Sequence, residues 1–117
     1  MEPTTTRSAD VAAIRIDSGS YRRTLGWGER TLLSEVTLEA GGVVPRHSHS
    51  HEQIGYVARG AIEFTIGDRV AVLRAGDGYV IPGGMPHSCL GLEDSIAVDV
   101  FAPVRDEYIP DVRSATR

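Results

Sequence analysis

The chain has 117 residues, of which 41% are hydrophobic and 24% charged, proportions that suit one globular domain able to bury a real core. A net charge of −4 and a pI near 5.5 exclude the basic field that would hold nucleic acid or an anionic membrane. No run approaches the ~20 apolar residues that cross a bilayer. The single cysteine, Cys89, excludes an intrachain disulfide framework, and the polar start from Met1 to Ala9 lacks a secretory signal, so a cytoplasmic protein is expected.

Thirteen glycines and six prolines punctuate the chain at short intervals, which favours short strands over long helices. Residues 1–10, rich in Thr and Ser, are read as a flexible segment. The apolar pattern begins at Val11 to Ile16. Thr31 to Leu38 alternates roughly by twos until Gly41-Gly42 breaks it, and Glu35 within it is expected to pair on the exposed side. Ile54 to Ala58 is a buried-looking run that stops at Gly60. Ala61 to Ile66 turns at Gly67-Asp68 into Arg69 to Leu73, a hairpin signal. Gly76-Asp77-Gly78 is another turn, and Tyr79-Val80-Ile81 leads to Pro82-Gly83-Gly84. The last strong strand is Ser95 to Phe101, ended by Pro103, and one helical turn is expected beyond it. No segment before Pro103 sustains a 3.6-residue apolar period for three turns. The pattern predicts an all-β sandwich or barrel over residues 11–112, followed by a tail at 113–117.

Three of the four histidines fall in one window, His47-Ser48-His49-Ser50-His51-Glu52-Gln53. On a strand, alternate side chains share a face, so His47, His49 and Gln53 are expected to project together. Imidazoles at that spacing chelate a metal ion, and a distant histidine can complete the set. His87, in Ile81-Pro82-Gly83-Gly84-Met85-Pro86-His87, is the remaining one. His51 shares the same parity and competes with Gln53 for the fourth place. Cys89 falls on the same side as His87, either as a thiolate ligand or as a small buried hydrophobe. The plainer alternative for the cluster is a solvated loop.

The glycines around these histidines decide between the two. Gly41, His47, His49, Gln53 and Gly60 match the spacing of the first cupin motif, and Gly76, Pro82, Gly84 and His87 match the second. The motifs are separated by the fifteen residues Ala61 to Ala75. The chain therefore resembles the cupin superfamily over nearly its whole length. The resemblance implies a cupin β-barrel (a double-stranded β-helix or jelly roll) with one divalent metal ion on His47, His49, Gln53 and His87. It also points to a homodimer, which suits a small barrel whose outer sheet face needs covering. Two positions depart from the motifs. Gly91 stands where the second has Asn. Gln53 replaces the usual Glu, and an amide oxygen cancels none of the ion's charge. The donor set is thus neutral, which favours a Lewis-acidic Zn, Ni or Mn over oxygen-activating Fe.

Asp99 interrupts an apolar strand, where a lone carboxylate is paired, exposed or functional. Alternation sets Ala97, Asp99 and Phe101 on one face, so Asp99 is either a general acid/base at the cavity or the partner of Arg105 or Arg22. The stretches His47 to Val57, which includes Tyr56, and Asp99 to Tyr108 look like the small cupins of pectin and alginate breakdown, which open 4,5-unsaturated uronates to linear keto sugars. That resemblance implies Asp99 and Arg105 as catalytic residues and Phe101, Tyr108 and Tyr56 as pocket residues. Asp99 would move protons and Arg105 would pair with the uronate carboxylate. Cupin cyclases of aromatic polyketide pathways share the same outline. A metal-dependent dioxygenase and a non-catalytic small-molecule cup are the remaining alternatives.

Overall fold

A computed structural model of the chain describes residues 1–110; the end of the expected domain and the tail at 113–117 lie outside the described residues. The ten strands are β1 (Ile14–Asp17), β2 (Ser20–Trp27), β3 (Leu32–Leu38), β4 (Val43–His47), β5 (Glu52–Arg59), β6 (Ala61–Ile66), β7 (Arg69–Arg74), β8 (Gly78–Ile81), β9 (His87–Gly91) and β10 (Ser95–Ala102). Short 3-10 turns form at Ser8–Asp10 and Asp106–Tyr108, the second being the helical turn expected beyond Pro103. In the first, the Ser8 hydroxyl donates to Glu35 Oε1 at 2.8 Å, so Glu35 is paired on the outer side of β3.

All pairings are antiparallel and form two sheets, a six-stranded one in the order β1-β2-β3-β10-β5-β8 and a four-stranded one in the order β4-β9-β6-β7. The fold is all-β, as the turn spacing predicted, and takes the jelly-roll form that the cupin resemblance implied. Strand alternation drives it. On β10, Ser95, Ala97, Asp99 and Phe101 are buried while the residues between them are half-buried. Leu38, Val57, Ile62, Phe64, Ile81 and Ala97 meet between the sheets as the core, with the ring of Tyr79 among them. Ile62 is fully buried, a burial that contributes roughly 1.5–3 kcal/mol.

Two features of the larger sheet position the site. The register aligns Asp99 with Ser34 on β3 and with Gly55 on β5, and Gly55 in turn with Tyr79 on β8. Gly55 leaves a gap in that row: a Cβ there would lie 2.1 Å from Tyr79 Cζ, so the phenol reaches across the middle strand only because position 55 has no side chain. At the β5–β6 corner, Gly60 has φ +84° and a Cβ would meet Ser95 Oγ at 2.2 Å, which accounts for the closing glycine of the first motif.

Candidate metal centre

His47 is the last residue of β4 and is paired in register with His87, the first residue of β9. Their rings are 4.3 Å apart. His49 reaches them by a different route from the one expected. The strand stops after His47, residues 48–51 form a turn, and β5 starts at Glu52. Strand parity therefore does not explain why His47, His49 and Gln53 converge. Two loops packed together do. Gly84 N–H donates to the His49 carbonyl at 2.7 Å, and a Cβ on Gly83 would lie 2.4 Å from Ser50 O. The Pro82-Gly83-Gly84 turn thus presses on the histidine turn and fixes it over the sheet. At the far end of β9, a Cβ on Gly91 would meet Glu39 O at 2.7 Å, which leaves no room for the Asn of the motif.

Ligating atoms of His47, His49 and His87 all lie within 4.8 Å of one another. Backbone carbonyls set their tautomers. His47 Nδ1–H donates to Pro45 O at 2.7 Å, His87 Nδ1–H to Met85 O at 2.9 Å, and His49 Nδ1–H to His51 O at 3.1 Å. A carbonyl only accepts, so each Nδ1 bears the proton and each Nε2 keeps a lone pair. Orienting bonds of this kind are what a metal-ligating imidazole needs. Burial lowers the pKa of His49, with the Arg105 charge as a further cause, and burial takes His87 down to about 4, so both rings stay neutral.

The fourth donor supplies a test of whether an ion fits. Gln53 Oε1 lies 3.1 Å from His49 Nε2. With the His49 proton on Nδ1, that contact sets one lone pair against another, an arrangement that a cation between them makes favourable. His87 Nε2 is buried with no hydrogen-bond partner. Both observations fit a cation with bonds of ~2.1 Å to nitrogen and oxygen.

The cluster opens on a cavity of about 270 Å³. Val36, Leu38, Val44, Ile62, Phe64 and Ile81 give it an apolar floor, while Gln53, Asp99, Tyr79 and Arg105 bring polar groups to its walls. Asp99 is buried, and its partner is neither Arg105 nor Arg22. The Tyr79 hydroxyl donates to Asp99 Oδ1 at 2.5 Å. Burial raises the Asp99 pKa against the opposing effects of the Tyr79 and Gln53 hydrogen bonds and the Arg105 charge. Burial, then the Asp99 charge, holds the Tyr79 phenol well above its ordinary range.

Arg105 follows β10 and lies with its guanidinium 5.0 Å from the centre of the Phe101 ring and 3.9 Å from that of Tyr108. Its Nε–H donates to Glu107 Oε1 at 2.6 Å, which leaves the two terminal nitrogens for other acceptors. Arg22 sits 3.8 Å from the same Tyr108 ring, and the Thr24 hydroxyl donates to the Tyr108 carbonyl, so the segment after β10 is held against β2 as part of the cavity wall. Phe101 packs edge-on against His49 at 5.5 Å.

His47, Gln53, His87, Asp99, Phe101, Arg105 and Tyr108 thus line one cavity, and His49 completes the histidine cluster beside it. Tyr56 does not join them. It points to the outer face of β5 with 52% of its surface exposed, because Gln53, Gly55 and Val57 take the inward positions. This corrects its expected place in the pocket. His51 stands outside the three-histidine group, its ring 5.6 Å from that of His49. Cys89 lines the cavity but also stands outside the group, and burial followed by the Asp99 charge pushes its thiol up to about 12, which keeps it protonated. Tyr79 is the site residue that sequence reasoning missed. Its period-2 position marks a buried ring, and only the glycine opposite it in β5 reveals that the ring spans a strand.

Comparison with known proteins agrees with this architecture. The Cupin domain family matches residues 34–101. The pectin degradation protein KdgF of Dickeya dadantii (strain 3937) is 29% identical over 96 residues, covering 80% of this chain and 87% of that protein. The structure of KdgF from Halomonas sp. superposes with a TM-score of 0.86 at 28% identity, covering 92% of this chain and 100% of that one. The polyketide cyclase RemF from Streptomyces resistomycificus superposes with a TM-score of 0.74 at 26% identity, covering 87% of this chain and 80% of that one. Two antiparallel sheets, a histidine cluster at the mouth of the cavity between them, and a family match over more than half of its length all lead to one conclusion: the chain belongs to the cupin family.

Proposed function

We propose that this cupin is a metal-dependent enzyme acting on a small, anionic, oxygen-rich molecule, with 4,5-unsaturated uronates as its substrate class. The observation that carries the reading is the convergence of a three-histidine cluster and Gln53 with Asp99 and Arg105 at one cavity of about 270 Å³. Similarity to two KdgF proteins, one of them named for pectin degradation, supports the uronate class.

His47, His49, His87 and Gln53 would hold one divalent ion, with Zn, Ni or Mn favoured over Fe because all four donors are neutral. When bound, the ion supplies Lewis-acid polarisation of substrate oxygens. The terminal nitrogens of Arg105 pair with the uronate carboxylate, since Nε is already engaged by Glu107. Phe101 forms the wall against which the sugar ring rests. Asp99, a buried carboxylate with a raised pKa, takes the proton of the water that adds at C5 of the vinyl ether and passes it to C4. The resulting hemiketal opens to the linear keto sugar as its C5 hydroxyl proton passes, by way of Asp99, to the ring oxygen.

Proton NMR of metal-loaded protein with 4,5-unsaturated galacturonate tests the reading. Loss of the vinyl signal is expected for the wild type and not for His49→Ala. Equal, slow loss with both proteins would reject this substrate. The apolar floor and the similarity to a polyketide cyclase would then favour an enolisable polyketide. Oxygen consumption by an iron-loaded protein would instead identify a dioxygenase, and tight binding without turnover a non-catalytic cup.

The expected homodimer belongs to the same proposal. Ile54, Tyr56 and Val80 are about half exposed on the outer face of β5 and β8, an apolar surface suited to a second copy. Tyr56→Lys is expected to shift a dimer towards monomer in sedimentation equilibrium, whereas a monomeric wild type would remove the dimer.

A further inference from the structure

The metal centre departs from the cupin motif at one donor, and the residues behind that donor explain the departure. Gln53 and Asp99 are both buried, and they project from neighbouring strands into the same cavity. In the register, Gln53 is opposite Phe101, so Asp99 is its diagonal neighbour on the inward face, within reach of a long side chain. The Tyr79 hydroxyl donates to Asp99 Oδ1, and the neighbouring Gln53 amide is a second group whose donors favour the ionised form of that carboxyl.

An ionised carboxylate has no donor to offer, so only the NH₂ of Gln53 can face it. The amide has two ends. With its nitrogen turned towards Asp99, its oxygen must point the other way, and Oε1 lies 3.1 Å from His49 Nε2. The flipped amide would set its oxygen against the carboxylate and its NH₂ towards the histidine lone pair, closing the place where a cation fits. A glutamate at position 53 would set two carboxylates in contact. Tyr79 holds Asp99 Oδ1, and it does so across the gap left by Gly55.

We propose that Asp99, held by the Tyr79 hydroxyl, is a positioning residue that turns the Gln53 carbonyl oxygen towards the histidine cluster and makes an amide, rather than a carboxylate, the fourth donor of the site. This role is separate from proton transfer to a substrate, and it rests on the reading of the cluster as a metal site. It makes positions 53 and 99 a coupled pair. An amide at one suits a carboxylate at the other, in either order.

The experiment is a double-mutant cycle read by metal binding alone, with Co²⁺ as the probe, isothermal titration for affinity and the visible d–d bands for geometry. The variants are Gln53→Glu, Asp99→Asn and the pair together, all near-isosteric, with far-UV circular dichroism to establish folding. Gln53→Glu alone is expected to weaken Co²⁺ binding by about tenfold, although it adds an anionic ligand. In the double variant the two groups have changed places: the amide introduced at position 99 donates to the carboxylate introduced at position 53, and affinity returns to the wild-type level or above. Tyr79→Phe, which frees the carboxylate, is expected to weaken binding several-fold and to change the d–d bands. Additive effects at 53 and 99, or a gain with Gln53→Glu in the wild-type background, would overturn the inference while the metal site stands. A wild-type protein that binds no Co²⁺ would remove both the metal site and the inference.

Discussion

His87 shows how much the cluster costs the chain when no metal is bound. Burial lowers its pKa from 6.5 to about 4, so the unfolded chain takes up a proton that the folded one refuses. A group with a lowered folded pKa contributes stability that is present above its unfolded pKa and lost as pH falls towards the folded one. Metal-stripped protein is therefore expected to lose Tm between about pH 6.5 and pH 4, and His87→Phe to flatten that slope. The Asp99 carboxyl acts in the opposite sense. Its raised pKa means that stability is lost as pH rises above the unfolded carboxylate range, so Asp99→Asn is expected to raise the Tm of stripped protein at neutral pH and to converge with wild type in acid. In the proposed reaction the same substitution lowers kcat by about 10²–10⁴-fold, whereas Arg105→Ala acts mainly on KM; steady-state kinetics separates the two. Cys89, with its thiol pushed up to about 12, is expected to resist iodoacetamide at pH 8 in the folded protein and to react fully after unfolding in guanidinium, a contrast that mass spectrometry reads directly.

Among the elements, legibility followed the chemistry of the inward face. β3, β6, β8 and β10 were visible as apolar alternation or short apolar runs bounded by turn residues. β2 was not, because its buried positions are Ser20 and Thr24, which carry no hydrophobic signal. β4 and β9 were hidden by Pro45 and by the histidines themselves. The cluster was legible from the spacing of His47, His49 and His87 between motif glycines, although the geometry assumed for it, a single strand, was wrong. A loop–loop contact through Gly83 and Gly84 brings the ligands together instead, and such a contact leaves only its glycines in the sequence. Tyr56 failed for the related reason that resemblance carried it into the pocket without regard to strand parity. The row Asp99-Gly55-Tyr79 gives this scale its own prediction. Gly55→Ala sets a methyl group against the Tyr79 ring, and it is expected to detach the phenol from Asp99 and to alter Co²⁺ d–d bands in the same way as Tyr79→Phe.

At the scale of the whole molecule, the two sheets divide the labour. Their shared apolar interior supplies the stability, and Ile62→Ala is expected to cost about 2–5 kcal/mol in denaturant unfolding, with no effect on metal stoichiometry. The ends of β4, β5 and β9 and the row across β10 supply the chemistry. No helix among the described residues is long and apolar enough to cross a membrane, and the chain carries a net charge of −4. The molecule is a small cup whose polar groups gather at one place, so its proposed function turns on whether that place holds an ion. Anomalous diffraction from crystals soaked with Ni²⁺ tests this most directly. The account predicts one strong peak per chain, bonded to Nε2 of His47, His49 and His87 and to Oε1 of Gln53. A peak on His51 or Cys89 in place of these donors, or none at the cluster, would contradict it.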